Sequence, residues 1–356
     1  MKQWMIYGAT GYNGELIARK AASLGLKPTL AGRSVEKITR LANELNLSYE
    51  VFGLQDDFHH RLADYNLVLH CAGPYSTTAA PMIEACLASR AHYLDITGEI
   101  DTFENNFNTY HNQAEVQHVL LVSGVGFDVV PTDCLANMLK AQLPDATKLE
   151  LAFDAALIPG KSAAFSMIEG LKSGNRIRHH GQLMQVPMAY RFKEIDFAGN
   201  IKPAMSIPWG DVTTAYHSTG IGNIIVYMAL PVSMEFMKPL INLSEHLMAH
   251  ELTQSILKKL ADTFINGEEQ KHRSASSAMI WGRVKNKAGQ EKTMCLQVPH
   301  PIEHTADCAL AATQAVLKLE NTAGGAASPA MLFGADFVKS VEGVKVISNK
   351  TDLPRM

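Results

Sequence analysis

The sequence predicts an α/β protein with two domains: an N-terminal Rossmann domain, built on a doubly wound parallel sheet, and an α+β domain with a mixed or antiparallel sheet. Three observations carry this prediction. Short aliphatic runs alternate with helical patterns over residues 1–125, a glycine-rich loop follows the first run, and the alternation stops after Gly126. Regular alternation of strands and helices implies right-handed crossovers and therefore a parallel sheet.

The predicted strands of the first domain are short and rich in aliphatic or aromatic side chains, as buried parallel strands are. They cover Trp4–Tyr7, Thr29–Ala31, Tyr49–Phe52, Leu67–His70, His92–Asp95 and Val119–Val122. Apolar residues at helical spacing predict the helices between them. These helices cover Tyr12–Leu24, Val35–Leu45, Ala79–Ser89 and Ile100–Gln117.

Beyond Gly126 the pattern becomes irregular, which predicts a different architecture. We expect helices at Thr132–Leu143, Ser233–Ile265 and Pro329–Lys339, and strands at Lys148–Leu157, Met184–Ile195 and Lys345–Ile347, with a hairpin turn at Asn286–Gln290. We expect the last strand to return to the first domain. The predicted domains are therefore a Rossmann domain at 1–130, completed by 324–356, and a substrate and dimerisation domain at 131–323.

Composition narrows the class of partner. Lys+Arg 32 against Asp+Glu 35 gives a net charge of -3, so no broad basic field attracts nucleic acid or an anionic membrane. The five cysteines are dispersed, which favours reduced thiols and a cytoplasmic location over a disulfide framework. Glycine and proline interrupt the uncharged stretch Val212–Met234, so a pair of buried strands is expected there and not a membrane span. A small-molecule substrate and a homodimer are the expected partners.

The glycine loop YGATGYNG lies between the first predicted strand and the first helix. In this context three glycines allow a tight turn, close approach of a pyrophosphate and close helix packing, with the helix N-terminus facing the phosphates. The alternative is a set of turn glycines that bind nothing. The predicted cofactor contacts are Gly8, Ala9, Thr10, Gly11, Tyr12, Asn13 and Gly14.

The second strand ends in Gly32, Arg33 and Ser34, where an enzyme specific for NAD would place an acidic residue for the ribose hydroxyls. A guanidinium pairs with a ribose phosphate through two parallel hydrogen bonds, and a serine hydroxyl can donate another. These three residues therefore favour NADP(H). A solvated surface arginine is the alternative interpretation of Arg33.

With these motifs the sequence resembles the saccharopine dehydrogenase-like reductases, NADP-binding oxidoreductases that include saccharopine-forming enzymes and trans-acting enoyl reductases. The matching segments are GATGYNG from Gly8, AGRS from Ala31, CAGPY from Cys71, YLDITGE from Tyr93, GVGFDVVPTD from Gly124, STGIGN from Ser218 and GGAASPA from Gly324. The resemblance implies a Rossmann domain completed by the C-terminal segment and hydride transfer from NADPH to a C=N, C=O or activated C=C bond. It leaves the substrate open.

Candidate residues near the nicotinamide follow the later strands. Small or rigid residues after the fourth strand let a ribose approach, and Gly126 follows the sixth strand. Tyr75 could hydrogen-bond the cofactor or substrate, or pack as a loop tyrosine. Those expected to contact the cofactor are Cys71, Ala72, Gly73, Pro74 and Gly126.

Product formation needs a proton donor, and the tyrosines have no lysine four residues later, which closes the short-chain reductase route. Asp128, at the domain junction, is the preferred donor if burial raises its pKa, with Tyr75 second. A hinge role for Asp128 is the alternative. Asp95 and Glu99 are better interpreted as a partner of backbone donors and as a cap of the next helix.

Two other functions stay open on sequence grounds. HPIEH, from His300, matches a zinc peptidase pattern, but Pro301 places His300 at the helix start and no third ligand is evident, so no metal is expected. A redox sensor that binds NADP(H) without turnover is the second alternative, since one fold hosts many functions.

Overall fold

Two sheets organise the chain in the computed structural model, which describes residues 3–155, 174–233, 235–238 and 277–348. In the described residues the first sheet has seven strands, all paired in parallel. They are β1 (Trp4–Tyr7), β2 (Thr29–Gly32), β3 (Tyr49–Val51), β4 (Leu67–His70), β5 (His92–Asp95), β6 (Leu120–Val122) and β15 (Gly325–Ala327). Their order, β15-β6-β5-β4-β1-β2-β3, reverses direction between β1 and β4, which is where Rossmann sheets bind nucleotides.

Helices cover this sheet, and the predicted alternation of strands and helices is confirmed. The helices are α1 (Tyr12–Ser23), α2 (Val35–Leu45), α3 (Tyr75–Ser89), α4 (Ile100–Asn105) and α5 (His111–Gln117), with a π-helical turn at Asn106–Tyr110 between the last two. A later helix, α8 (Pro301–Lys318), packs beside α1, and both contribute buried residues to one core with the sheet. Strands β1, β2, β4, β5 and β6 carry fully or almost fully buried aliphatic side chains, as expected of a sheet covered on both faces.

The second sheet is mixed, with one parallel pairing, β12 with β7, among otherwise antiparallel pairings in the described ranges. Its strands are β7 (Lys148–Asp154), β8 (Asn175–His179), β9 (Gln182–Val186), β10 (Phe192–Asp196), β11 (Ile201–Ser206), β12 (Ile224–Ala229), β13 (Ala278–Lys285), β14 (Glu291–Val298) and β16 (Lys345–Ser348). Three helices pack with it: α6 (Val130–Gln142), α7 (Asp211–Thr219) and α9 (Pro329–Phe333).

Several expectations for the second half are wrong. The described part of Val212–Met234 holds a helix, α7, and a strand, β12, instead of two strands; the helix buries Val212 and Ala215 in the core, and Gly220 in the left-handed region (φ 69°) ends it. Met184–Ile195 is divided between β9 and β10. The last strand pairs with β14 of the second sheet, whereas Gly325–Ala327 is the segment that joins the first sheet.

The hairpin around Asn286–Gln290 is confirmed by the antiparallel pairing of β13 with β14. Most of the predicted helical stretch Ser233–Ile265 lies outside the described residues. No helix in the part of the chain that the structure describes is long and apolar enough to cross a lipid bilayer.

Side-chain contacts tie the two sheets together beside α4. Arg178 of β8 is buried and donates to Glu104 of α4, to the Val212 carbonyl and to Thr213. The Phe107 ring, in the π-helical turn, stacks on His217 with centroids 3.8 Å apart. These contacts fix the second sheet against the helix that follows β5.

Candidate active site

The glycine loop forms a close-packed cradle at the carboxyl end of β1. A Cβ on Gly8 would lie 2.8 Å from the backbone nitrogen of Ala72, and Gly8 has a φ of 81°, where glycine is favoured. A Cβ on Gly14 would overlap the carbonyl oxygen of Gly8. The amide nitrogen of Gly11 donates to the Gly8 carbonyl at 2.9 Å, and Gly11 itself is exposed. The backbone is therefore open to a ligand at the start of α1, as a pyrophosphate site requires.

The end of β2 presents Arg33 to solvent beside the glycine loop. In the described residues no carboxylate forms an ion pair with its guanidinium. The Ser34 hydroxyl oxygen accepts a hydrogen bond from the Lys37 amide at 3.4 Å and so caps α2. Because that hydroxyl retains its own proton, capping leaves it able to donate to a phosphate.

The loop after β4 lies against the glycine loop, through the contact of Gly8 with Ala72. Cys71, Ala72, Gly73 and Pro74 are all half-buried, as the edge of a cleft would be. The Thr78 hydroxyl donates to the Ala72 carbonyl at 2.6 Å and holds the loop to α3. The structure therefore brings these predicted cofactor residues together with Gly8.

The expectation that Tyr75 lies in a loop is wrong, because α3 begins at this residue. Its side chain is 8% exposed, and its hydroxyl donates to the His70 carbonyl at 3.1 Å. Burial raises the pKa of Tyr75 well above its usual value. A hydroxyl already engaged with the backbone and reluctant to ionise is a poor proton donor, and we do not carry Tyr75 forward in that role.

Glu99 caps a helix, but not the one expected. Its carboxylate accepts hydrogen bonds from the amides of Tyr75, at 3.0 Å, and Ser76, at 2.7 Å, at the start of α3. It makes no side-chain cap of α4, the helix that follows it. A carboxylate that accepts from two first-turn amides at a helix N-terminus stabilises that end, and here it joins the loops after β4 and β5.

Asp95 partners backbone donors, which confirms the interpretation from sequence. Its fully buried carboxylate accepts from the amides of Thr97 and Gly124, both at 3.0 Å, and from the Ser123 hydroxyl at 2.7 Å. Burial is the largest influence and raises the pKa of Asp95 to about 6, against the effect of these hydrogen bonds. Asp95 therefore holds the ends of β5 and β6 in register.

Asp128 lies across from the loop after β5. A Cβ on Gly98 would stand 2.8 Å from one Asp128 carboxyl oxygen, so only glycine leaves room for this carboxyl group. The Asp128 carbonyl accepts a hydrogen bond from the Trp209 indole at 2.8 Å, which fixes the backbone against the second domain. Burial raises the pKa of Asp128 to about 6. Gly98 and Trp209 were not singled out from sequence, since nothing in their local pattern reveals these contacts.

Gly126 has a packing role at the turn after β6, and its expected contact with the cofactor remains a prediction. A Cβ on Gly126 would lie 2.9 Å from the Thr305 methyl group of α8. The next residue, Phe127, donates its amide to the Thr305 hydroxyl at 3.1 Å. The glycine is thus needed where α8 meets the turn after β6.

The HPIEH segment forms the start of α8, and its two histidines contact other groups of the same helix. His300 is the N-cap residue, and its Nδ1 accepts from the Ile302 amide at 3.3 Å. His304 is fully buried, with Nε2 3.4 Å from the Cys308 sulfur. Among the residues described, no group of three or more His, Cys, Asp or Glu side chains is placed to hold a metal ion. We therefore do not propose a zinc peptidase.

Comparison with known proteins identifies the first domain. Residues 4–122 match the family described as the saccharopine dehydrogenase NADP binding domain. The N-terminal domain is therefore similar to this family over residues 4–122. The match confirms the resemblance predicted from the sequence. It also confirms the prediction that the cofactor is NADP.

Two related proteins are similar in sequence to part of the chain. A trans-acting enoyl reductase of Mycobacterium tuberculosis is 32% identical over 138 residues, which are 36% of this chain and 33% of that protein. A saccharopine dehydrogenase-like oxidoreductase of Arabidopsis thaliana is 26% identical over 211 residues, 54% of this chain and 44% of that protein. The matched segments thus span less than half the length of these relatives.

Solved structures share the fold at low sequence identity. Saccharopine dehydrogenase (L-Glu forming) from Saccharomyces cerevisiae aligns over 98% of this chain and 100% of its own, with a TM-score of 0.64 and 11% identity. An amine dehydrogenase from Mycobacterium smegmatis aligns over 90% of this chain and 94% of its own, with a TM-score of 0.50 and 10% identity. The predicted fold class, a Rossmann sheet with a second mixed-sheet domain, is confirmed.

Proposed function

We propose that this chain is an NADPH-dependent oxidoreductase that reduces a C=N, C=O or activated C=C bond of a small molecule. The observation that carries the proposal is one juxtaposition at the carboxyl ends of the parallel strands. There the glycine cradle adjoins the loop after β4, and the carboxyl group of Asp128 lies against Gly98 two strands away. A cofactor site and a candidate proton donor therefore share one edge of the sheet.

The residues of the cradle fit NADP because they leave backbone exposed where phosphates would approach. In this proposal the loop Gly8–Gly14 binds the pyrophosphate, Gly32–Ser34 bind the adenosine ribose and its phosphate, and Cys71–Pro74 flank the nicotinamide ribose. When bound, NADPH supplies a hydride. Glu99 and Thr78 hold the loop after β4 in place, the former through the start of α3.

In this proposal the protein itself supplies the proton that the reduced substrate needs. Asp128 holds it on a carboxyl group whose pKa is raised to about 6 by burial, and in the described residues no hydrogen bond donor engages that carboxyl group. A carboxyl group that is partly protonated near neutral pH can transfer its proton to the substrate atom that gains negative charge. The backbone hydrogen bond from Trp209 keeps Asp128 at the junction of the domains.

The proposal is tested by a turnover screen with NADPH against carbonyl, imine and enoyl compounds. We expect the NADPH absorbance to fall only when one of these classes is added. The same screen with NADH should give slower turnover. Tight binding of NADPH without its oxidation by any compound of the panel would contradict the proposal that the protein is an enzyme, and would support a redox sensor.

The cofactor preference is expected to depend on Arg33. NADPH should bind at least about tenfold more tightly than NADH, since one charge-assisted contact to a phosphate contributes about 1.5 to 3 kcal/mol. Arg33→Ala should remove most of this preference, with little change in NADH affinity. Titration calorimetry with both cofactors measures the ratio, and equal affinities in the unmodified protein would show the prediction to be wrong.

A further inference from the structure

A buried carboxyl group without a hydrogen-bond partner lies where α7 begins, beside the candidate active site. Asp211 is the first residue of α7, and its side chain is 0% exposed. Neither of its carboxyl oxygens takes part in a hydrogen bond with the described residues. The Thr132 hydroxyl, which lies close enough to lower its pKa, donates instead to the Val129 carbonyl at 3.0 Å. Since a buried carboxylate without donors is costly, Asp211 favours its neutral, protonated form.

The carboxyl group of Asp133, in α6, is also fully buried but has donors. One oxygen accepts from the Ser218 hydroxyl at 2.5 Å, and the other accepts from the Ala330 amide at 2.9 Å. Such donors favour the charged form, against the burial that raises the pKa of Asp133. Of these two buried acids, Asp133 is therefore the one suited to carry a charge, and Asp211 is the one suited to keep a proton.

The start of α7 is held against the turn that bears Asp128. Trp209, two residues before Asp211, donates its indole hydrogen to the Asp128 carbonyl at 2.8 Å. Burial is the largest cause that raises the pKa of Asp211 well above its usual value, and the charges of Asp133 and Asp128 raise it further. Asp128 is half-buried, whereas the other two are buried. Three carboxyl groups therefore extend from the edge of the candidate site into the protein.

The other charged groups around α7 leave Asp211 unpaired. Arg178 of β8 donates to Glu104 of α4 and to the first turn of α7 at the Val212 carbonyl. Burial lowers the pKa of His217, at the far end of α7, and raises that of the Cys134 thiol in α6, so both stay neutral. The neighbouring elements α9 and β12 carry no charged side chain.

We propose that Asp211 is a proton reserve for the candidate active site, which holds a proton in the resting protein and returns one to Asp128 after each reduction. The inference rests on the proposed NADPH-dependent function and deepens it. The substrate takes a hydride from NADPH, leaving NADP⁺, and takes the proton of Asp128 on the atom that gains negative charge. The Asp128 carboxylate then takes the proton of Asp211. Asp211 recovers a proton from water through Asp133 and the half-buried Ser218 hydroxyl.

The resting proton is tested without cofactor or substrate, by the infrared carbonyl stretch of protonated carboxyl groups. The spectrum is taken at about pH 8, where Asp128, with a pKa of about 6, is ionised. We expect a band that is lost in Asp211→Asn and kept in Asp336→Asn, the same change at an exposed aspartate. Asp211→Ser repeats the test with a smaller side chain. A band that persists in the Asp211 variants, or is absent from the unmodified protein, would overturn the proposal.

The thermal midpoint separates a proton reserve from a structural carboxylate. A carboxyl group whose pKa is raised by folding loses stabilisation as pH rises from its unfolded pKa, about 3.9, towards its folded one. Asp211→Asn should therefore raise the midpoint by about 2 to 4 °C near pH 8 and change it little near pH 4. An ionised Asp211 that only stabilises the start of α7 predicts a lower midpoint for the same variant near pH 8.

The reserve role is tested with a substrate from the screen, by comparing the first turnover with later ones. In Asp211→Asn the first reduction, measured by rapid mixing, should stay within about threefold of the unmodified rate, while the multiple-turnover rate should fall at least about tenfold. Acetate, a small weak acid, should restore part of the loss. If compounds are reduced and the multiple-turnover rate of Asp211→Asn is unchanged, the reserve is wrong and the function stands. If Asp211 holds its proton but no compound oxidises NADPH, the function is wrong and the reserve falls with it.

Discussion

Asp128→Asn is expected to lower turnover at least about a hundredfold, because positioned general acids contribute about a hundredfold to ten-thousandfold. Asparagine has nearly the shape of aspartic acid, so it fits the space beside Gly98 and leaves the Trp209 hydrogen bond to the backbone intact. NADPH affinity and the thermal midpoint should therefore stay unchanged. The measurement is kcat/KM on a substrate found in the screen, with Asp336→Asn, an exposed aspartate that pairs with Lys339, as the control.

The role of Asp128 also predicts the direction in which kcat/KM changes with pH. The protonated form of Asp128 is the donor, so kcat/KM should fall as pH rises through about 6, the value to which burial raises its pKa. Asp128→Asn should flatten this limb as well as lower the rate. A rate within about threefold of the unmodified enzyme, or an unchanged limb, would remove Asp128 from the mechanism.

Gly14→Ala should damage the cofactor-free protein and its cofactor binding together. A methyl group at this position overlaps the Gly8 carbonyl oxygen, which is backbone and cannot turn aside. Overpacking of this kind costs about 1 to 3 kcal/mol of unfolding free energy. Because a displaced loop must be restored on binding, NADPH affinity should also fall about tenfold to a hundredfold, the equivalent of about 1.4 to 2.8 kcal/mol.

Gly11→Ala is the graded comparison. Its Cβ would lie 3.2 Å from the same carbonyl oxygen, a contact that a small shift relieves, and its φ of -77° suits any residue. We expect a nearly unchanged thermal midpoint with weakened NADPH binding, since Gly11 is exposed in the loop that a pyrophosphate would approach. Equal midpoints for Gly11→Ala and Gly14→Ala would contradict the packing explanation of Gly14.

The first sheet was predictable because its signals are local. The strands from β1 to β6 are short runs, mostly apolar, and helical patterns separate them except between β3 and β4; Gly8–Gly14 identifies the first crossover. The second sheet was less predictable, because its strands are stabilised by partners that are distant in the sequence. The stretch Val212–Met234 looked like two strands, yet α7 forms there and buries Val212 and Ala215 in a core shared with α6. The predicted domain bounds and homodimer remain predictions.

The candidate site divides in the same way. The loops at the ends of β1, β2 and β4 were found from sequence, since their glycines and Arg33 have local meaning. The partners of individual side chains could not be found from sequence. Glu99 accepts a hydrogen bond at the start of α3, and the Tyr75 hydroxyl donates to a backbone carbonyl.

The pairing of β15 with β6 has a consequence for the order in which the protein is made. Leu120–Val122 finds its partner at Gly325–Ala327, after every strand of the second sheet except β16 has been synthesised. During translation β6 is therefore an edge strand with unpaired backbone groups, the kind of surface on which nascent chains associate wrongly. The first sheet thus gains the strand at its edge only after β7 to β14 have been made, although its glycine loop follows the first strand of the chain.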